Sequence, residues 1–476
     1  MLDKNILAQV LNQALKKGGD FAEIYIEEKQ VSNVFCEDNR IEKINSGREK
    51  GAGIRVIKDG NTAYVYTNDL STEGLYKAAS VANHTAGSRD NTSNRIIDLK
   101  VKKPGFNIEF KRLPETVAFE EKIEKILAAN KIARDISDEI RQVTIAAGDI
   151  HKKIQIANSN GELVEGEHAR VRLIVNTVAS RDGITQTGYE SAGGVCGWEI
   201  LDKISLEDMA RKAANLSIHM LSARPAPVGR MPVVMSSEAG GTMVHEACGH
   251  GLEADLVQKG LSVYKNRIGQ KVASSLVTVI DDAKINGNYG SFVFDDEGNQ
   301  GERTVLIDKG ILVGYMYDRL TAEKDGKKST GNGRRESYQH KPIPRMSNTF
   351  IAPGMDDPEE IIKSVPRGLL VSKMGGGQVN TINGDFVFEV QEGYIIEDGE
   401  IKYPVRGATL TGNGPEVLNN IDMVGKDLGF AIGVCGKDGQ GVPVSDAQPT
   451  IRIKELTVGG TSSMEGGPHI RRIKGM

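Results

Sequence analysis

The stretch MPVVMSSEAGGTMVHEACGHGLEADLVQ, residues 231–258, reads as a short apolar strand (Met231 to Met235), a turn-rich link (Ser236 to Gly241) and a helix running to about Gln258. Inside that helix His245-Glu246-Ala247-Cys248-Gly249-His250 brackets a carboxylate with two imidazoles. Two His supply neutral nitrogen ligands to a hydrolytic zinc. The Glu beside the first is too close to the metal axis to be a third ligand and is placed to take a proton from water activated there. The spacing is H-E-x-x-x-H, one residue longer than the common H-E-x-x-H. On a regular helix a spacing of four leaves side chains about 40° apart and a spacing of five about 140° apart, too far for one tetrahedral metal. The sequence therefore predicts a π-bulge, with Gly249 and Gly251 easing an irregular backbone.

Working outward, Ala223-Arg224-Pro225-Ala226-Pro227-Val228-Gly229-Arg230 ends a helix with closely spaced prolines, which favours an extended connection. The expected class is α+β, with a mixed α/β N-terminal domain over 1–224 and a β-rich C-terminal domain over 225–476 that carries the metal helix. Helical periodicity is expected over 1–18, about 72–86, 115–139 and 205–222. Strands are expected over 22–27, 53–58 and 61–66, with Asp59-Gly60 as a hairpin turn. Glycine makes up 55 of 476 residues, about 12% where about 7% is ordinary, and is concentrated in the second half. There, short alternating runs over 275–280, 304–307, 385–390, 393–396 and 450–453 are separated by turn signals such as Asp308-Lys309-Gly310, Asn383-Gly384 and Asp398-Gly399.

A chain of 476 residues with 39% hydrophobic residues can bury two or three substantial cores. The net charge of -4, with Lys and Arg spread along the chain, argues against a nucleic-acid partner. No run approaches the 18 or so apolar residues needed to span a bilayer, so no membrane association is expected. The amphipathic start, Met1 to Gly18, lacks the basic beginning and continuous apolar run of a signal peptide. Cys36, Cys196, Cys248 and Cys435 show no paired spacing, as expected of a reducing, cytoplasmic setting.

A catalytic zinc needs a third protein ligand, and Glu253, Asp255, Cys248, His340, Cys435 and His469 are all candidates. Cys248 lies between the two His and is expected to point away from the metal as a small buried hydrophobe. Cys435 sits in the glycine-rich Gly433-Val434-Cys435-Gly436-Lys437-Asp438-Gly439-Gln440-Gly441, where backbone can crowd a site and a thiolate would bind zinc firmly. It is favoured modestly, and the others stay open. Tyr338, His340 and Arg345 are candidates for stabilising an oxyanion and holding substrate. Two rival functions make demands that the sequence does not meet. A regulatory protein with a structural zinc would need a site closed by four protein ligands. A nucleotide hydrolase would need a P-loop, and Gly326-Lys327-Lys328-Ser329 lacks the upstream glycine.

The run from Met243 to Asp255 resembles the signature of the TldD/PmbA metalloprotease family, also called modulators of DNA gyrase, on its TldD branch. Gly331 to Thr349, Cys435 to Gln440, and Asp20-Phe21-Ala22-Glu23-Ile24-Tyr25 are similar to further blocks of that family. The resemblance implies Zn2+ held by His245, His250 and Cys435, with Glu246 as general base. It also implies hydrolysis of short or unfolded peptides in peptide maturation or degradation, and an enclosed chamber around the metal. The partner it implies is a TldE/PmbA-like subunit in a heterodimer, or a second copy in a homodimer.

Overall fold

The computed structural model describes residues 1–86 and 96–460. The N-terminal half is built on one sheet of β1 (Phe21–Glu37), β2 (Arg40–Lys58), β3 (Asn61–Thr67), β4 (Lys100–Val101), β5 (Ile140–Asn158), β6 (Glu162–Arg181) and β7 (Ile184–Gly194). Their order is β3-β2-β1-β5-β6-β4, with β7 also on β6. Asp59 and Gly60, both at positive φ, close the β2–β3 hairpin with Lys58 opposite Asn61, as a two-residue primed turn requires.

The strands expected over 22–27 and 53–58 are the apolar ends of β1 and β2, which run much further. The continuation of β2 is largely polar and exposed, so hydrophobic alternation could not reveal it, whereas that of β1 buries Ser32, Val34 and Cys36 on alternate positions, a short pattern that the polar run Glu28-Lys29-Gln30 separates from its apolar start. Helices Lys4–Leu15 and Thr72–Thr85 pack on β1 to β3, and Phe119–Arg134 and Leu206–Leu221 pack on β5 to β7. The helix expected over 115–139 is shorter at both ends: Pro114–Thr116 form a separate 3-10 turn, and the chain turns after Arg134.

The second half contains a six-stranded and an eight-stranded sheet. The six-stranded order is Ile311–Leu312, Arg303–Asp308, Val279–Asp282, Asn348–Ile351, Gln440–Gln448, Gly429–Lys437. In the other sheet Arg367–Val379 pairs with both Gly229–Met235 and Asp385–Glu397, so five of its strands close into a ring through Ile451–Gly459 and Thr409–Asn413. One apolar core joins these sheets and includes Ala247, Cys248 and Leu252 of the segment that carries His245 and His250. That segment is therefore held on several sides, as an irregular backbone needs.

The halves meet across the face of β1 away from its helices. Ala22, Ile24 and Ile26 point to the helices, while Tyr25 packs with Phe294 and Tyr338 of the second half. On that second face Glu23 pairs with Arg55 at 2.9 Å and Arg335 at 2.6 Å, and Arg55 reaches Glu297 at 2.6 Å. All four side chains are at most 2% exposed. Burial works against the Glu23 carboxylate, but the two guanidiniums outweigh it and lower its pKa. Its stabilisation is accordingly present above the ordinary Glu range and lost as pH falls through the lowered value. Glu23→Gln leaves buried cations underneutralised and is expected to cost about 3–5 kcal/mol, read from urea unfolding at neutral pH. A loss below about 1 kcal/mol would show that this joint does not hold the halves together.

Candidate metal centre

Thr242–Val244 begin as α-helix, His245–Gly249 wind as π-helix, and His250–Leu252 tighten into a 3-10 turn. The wide turn supplies the extra residue that the five-residue spacing demands. The glycines act differently from the sequence expectation. Gly249 has ordinary right-handed angles, φ -50 and ψ -60, so what it supplies is room: a Cβ there would lie 2.2 Å from Met346 Sδ. The Tyr264 hydroxyl donates to the Ala247 carbonyl at 2.8 Å, giving one carbonyl of the irregular turn a partner. The helix does not continue unbroken to Gln258. Glu253 is extended, at φ -77 and ψ 120, and a new helix covers Ala254–Lys259.

That break returns the Glu253 carboxylate to His250, where Oε2 lies 3.0 Å from Nδ1. Asp446 does the same for His245, with Oδ1 2.8 Å from Nδ1. With each Nδ1 engaged by a carboxylate, each Nε2 is the atom left available to a metal. The rings stand nearly perpendicular, 87° apart, with centroids 4.8 Å from each other. Cys435 Sγ lies 3.4 Å from His250 Nε2. One ligand atom from each of His245, His250 and Cys435 falls within 4.8 Å of the others, a set that suits a soft or borderline divalent cation such as zinc.

The other ligand candidates are engaged elsewhere. Cys248 is fully buried, its thiol bonds back to the Val244 carbonyl, and burial pushes it up to about 12. Asp255 lies 2.6 Å from Lys437, and His340 Nδ1 sits 3.1 Å from Ser337 Oγ. Glu253 stands behind His250. His469 lies outside the described residues.

Cys435 and Asp446 come from the two arms of one hairpin, Gly429–Lys437 and Gln440–Gln448, turned at Asp438 and Gly439, both at positive φ. Arg345, with no exposed surface, donates to the Cys435 carbonyl and to the Gln440 carbonyl. Lys437 Nζ reaches Glu253 at 3.1 Å and Asp255 at 2.6 Å. The hairpin is thus locked to the His-bearing helix on both sides of the thiol.

Burial opposes charge on every group here, and for His245, His250, Cys435 and Glu253 the neighbours overcome it. Asp446 and Cys435 raise His245 well above the usual imidazole range. Glu253 and Cys435 take His250 to about 10. The two imidazoles bring the Cys435 thiol down to about 5, so the thiolate, the form that binds metal, is favoured. Lys437 and His250 lower Glu253 to about 2. Glu246 shifts the other way: burial raises its carboxyl, against the pull of His245 and His250. It makes no hydrogen bond among the described residues and lines a cavity of about 410 Å³ with His245, His250, Cys435, Gln378 and Val379.

Tyr338, His340 and Arg345 do not line this cavity. Tyr338 packs between the halves, its ring edge-on to Tyr66 and so close to β2 that a Cβ on Gly51 would lie 2.2 Å from it. Arg345 is spent on the backbone of the Cys435 hairpin, and His340 on Ser337. Sequence reasoning missed Asp446 and Lys437 as supports; Lys437 sits in a quoted block, but Asp446 carries no local signal. No helix among the described residues is long and apolar enough to cross a membrane.

Family descriptions match in three consecutive segments: PmbA/TldA metallopeptidase domain 1 over 22–86, central domain over 112–221 and C-terminal domain over 228–460. The chain is 38% identical over 443 residues to a metalloprotease of Methanocaldococcus jannaschii, covering 92% of this chain and 97% of that one. It is 36% identical over 450 residues to a metalloprotease TldD homolog of Haemophilus influenzae, with 93% of each covered. A zinc metalloprotease TldD homolog of Saccharolobus solfataricus is 30% identical over 458 residues, covering 94% and 99%. Among solved structures, a Thermotoga maritima protein described as a modulator of a DNA gyrase superposes with TM-score 0.79 at 23% identity, covering 96% of this chain and 100% of that one. TldE from Thermococcus kodakarensis gives 0.76 at 20%, covering 96% and 100%; both share the fold. On its sequence matches along nearly the whole length, this chain belongs to the PmbA/TldD metallopeptidase family.

Proposed function

We propose that this protein is a zinc-dependent peptidase acting on short or unfolded peptides, with His245, His250 and Cys435 as metal ligands and Glu246 as general base. The observation that carries the reading is the meeting of His245, His250 and Cys435 ligand atoms within 4.8 Å, with both Nδ1 atoms held by carboxylates and an unengaged carboxylate alongside. Zinc bound by such a set supplies a Lewis acid that acidifies water and polarises a peptide carbonyl. Glu246 is suited to receive the proton, because burial brings its pKa upward, toward the range where a base works best. Asp446 and Glu253 fix the tautomer and direction of the two imidazoles. A purely structural zinc site would be closed by a fourth protein ligand, whereas this cluster opens onto a cavity.

Substrate form follows from the sheet. Gly429–Lys437 is the outermost strand of its sheet, and Val434 to Lys437 line the cavity. An extended peptide can add to such an edge through backbone hydrogen bonds, which gives affinity with little side-chain selectivity. The shared fold with TldE supports an assembly with a TldE-like chain or with a second copy.

Two outcomes test the reading. Glu246→Gln keeps size and removes the proton acceptor, so zinc content measured by mass spectrometry is expected to stay near one per chain while hydrolysis of an unfolded peptide falls by roughly 10² or more; unchanged turnover would refute the role of Glu246. Asp446→Ala removes a support without removing a ligand, and zinc affinity by competition with a chromogenic chelator is expected to weaken about 10–100-fold. Wild-type affinity in that variant would mean that Asp446 does not orient His245.

A further inference from the structure

A second cavity, of about 440 Å³, lies between the β1–β5–β6 face and the second half. Its charged lining is Lys29, Lys152, Arg170, Arg334 and Arg335 against Asp295, Asp296 and Glu336. Most of this charge is matched. Lys29 pairs with Glu49 at 3.0 Å, Lys152 lies 3.4 Å from Glu27 and 4.0 Å from Asp296, and Arg335 pairs with Glu23. Asp295 accepts from the backbone N–H groups of Glu297, Asn299 and Gly333, and burial beside Glu297 pushes its carboxyl well up, toward neutrality. Glu336 accepts from the Gly441 N–H.

Arg170 and Arg334 are the exceptions. They are 9% and 4% exposed, and among the described residues neither forms an ion pair. Arg170 donates to the Tyr289 and Ser291 carbonyls at 3.0 and 2.8 Å. Arg334 donates to the Met346 and Pro443 carbonyls and stands over the Phe292 ring. Carbonyls and a ring face fix the direction of a guanidinium without neutralising it. A buried cation with no carboxylate in contact is costly; the field of Asp296, in the same lining, reaches both arginines but is shared with Lys152 and Arg335, and burial lowers both guanidiniums, Arg334 to about 9 with the repulsion of Arg170 added. His168, 6% exposed, lines the same cavity with an Nδ1 that has no hydrogen-bond partner.

We infer that this cavity is a carboxylate site for the substrate, in which Arg170 and Arg334 hold an anionic group of the peptide and His168 offers it a third polar neighbour. The inference rests on the peptidase reading and specifies it. Val434, the neighbour of Cys435 in the chain, lines both this cavity and the metal cavity, so one short peptide can occupy the two together. The group is either the terminal carboxylate or an acidic side chain near the scissile bond, since both present the planar pair of oxygens that guanidinium recognises.

The test is binding of fluorescent pentapeptides to zinc-loaded Glu246→Gln protein, followed by anisotropy. Four peptides are compared: C-terminal acid or amide, each with Glu or Gln at the residue before last. At least one carboxylate is expected to tighten binding about tenfold, the scale of a charge-assisted hydrogen bond, and the pair that shows the gain identifies its source. Arg170→Met, checked for an unchanged melting curve, is expected to reduce that gain to within about twofold, and Arg170→Lys to keep part of it. Equal binding of all four peptides overturns the inference without any variant, as does a full gain in folded Arg170→Met. Because binding is read in a protein that does not turn over, a carboxylate gain without hydrolysis in the wild type would unseat the peptidase reading and leave the cavity, whereas hydrolysis without the gain would do the reverse.

Discussion

Two imidazoles five residues apart can face one point only if the helix between them widens, and the rest of the site depends on that. The π-helical turn from His245 to Gly249 is held by Met346 filling the space beside Gly249 and by the Tyr264 hydroxyl bonded to Ala247. It sits in a core formed by two sheets. An isolated segment would relax to a regular helix and lose the geometry, so the β-rich half serves as the clamp for one irregular turn. The break at Glu253 then turns from a flaw in the helix into a support, since it brings that carboxylate to His250.

The third proposed donor arrives from about 190 residues away in the chain, and its position is fixed by charge as well as by strand pairing. Arg345 holds the Cys435 carbonyl, and Lys437 ties the hairpin to Glu253 and Asp255. Asp446, across the same hairpin, orients His245. Thiol and imidazole positions are therefore coupled: a shift of the hairpin moves Cys435 and the partner of His245 together. This explains why the block from Gly331 to Thr349 lies so close to the site while contributing no side chain of Tyr338, His340 or Arg345 to the cavity. Its task is to hold the hairpin.

Much of the centre was legible because its chemistry is local. The His-Glu pair and the five-residue spacing lie within one turn, and the spacing alone required a π segment. The C-terminal strands were legible in part, because glycine and Asx turns punctuate short alternating runs; of 275–280 only the end is strand, in Val279–Asp282, and 385–390 and 393–396 are one continuous strand, Asp385–Glu397. What could not be read depends on distant contact. Asp446 lies in an ordinary strand, and only the fold brings it to His245. Arg345 carries a charge that suggests a ligand-facing role, yet its burial behind Cys435 assigns it to backbone support. The full length of β2 is not legible because its outer part is polar and exposed, that of β1 because the polar run Glu28-Lys29-Gln30 interrupts its pattern before the buried Val34 and Cys36, and Glu23 carries no hint that it meets Arg335 across the joint between the halves.

The central claim is that the widened turn and the hairpin deliver two nitrogens and one sulfur to a single metal. X-ray absorption at the zinc edge on the metal-loaded wild-type protein measures that coordination sphere directly. Expected are one sulfur at about 2.3 Å and lighter donors at about 2.0–2.1 Å, with imidazole multiple scattering that fits two rings. A spectrum without sulfur, or with scattering from one imidazole alone, would contradict the assignment.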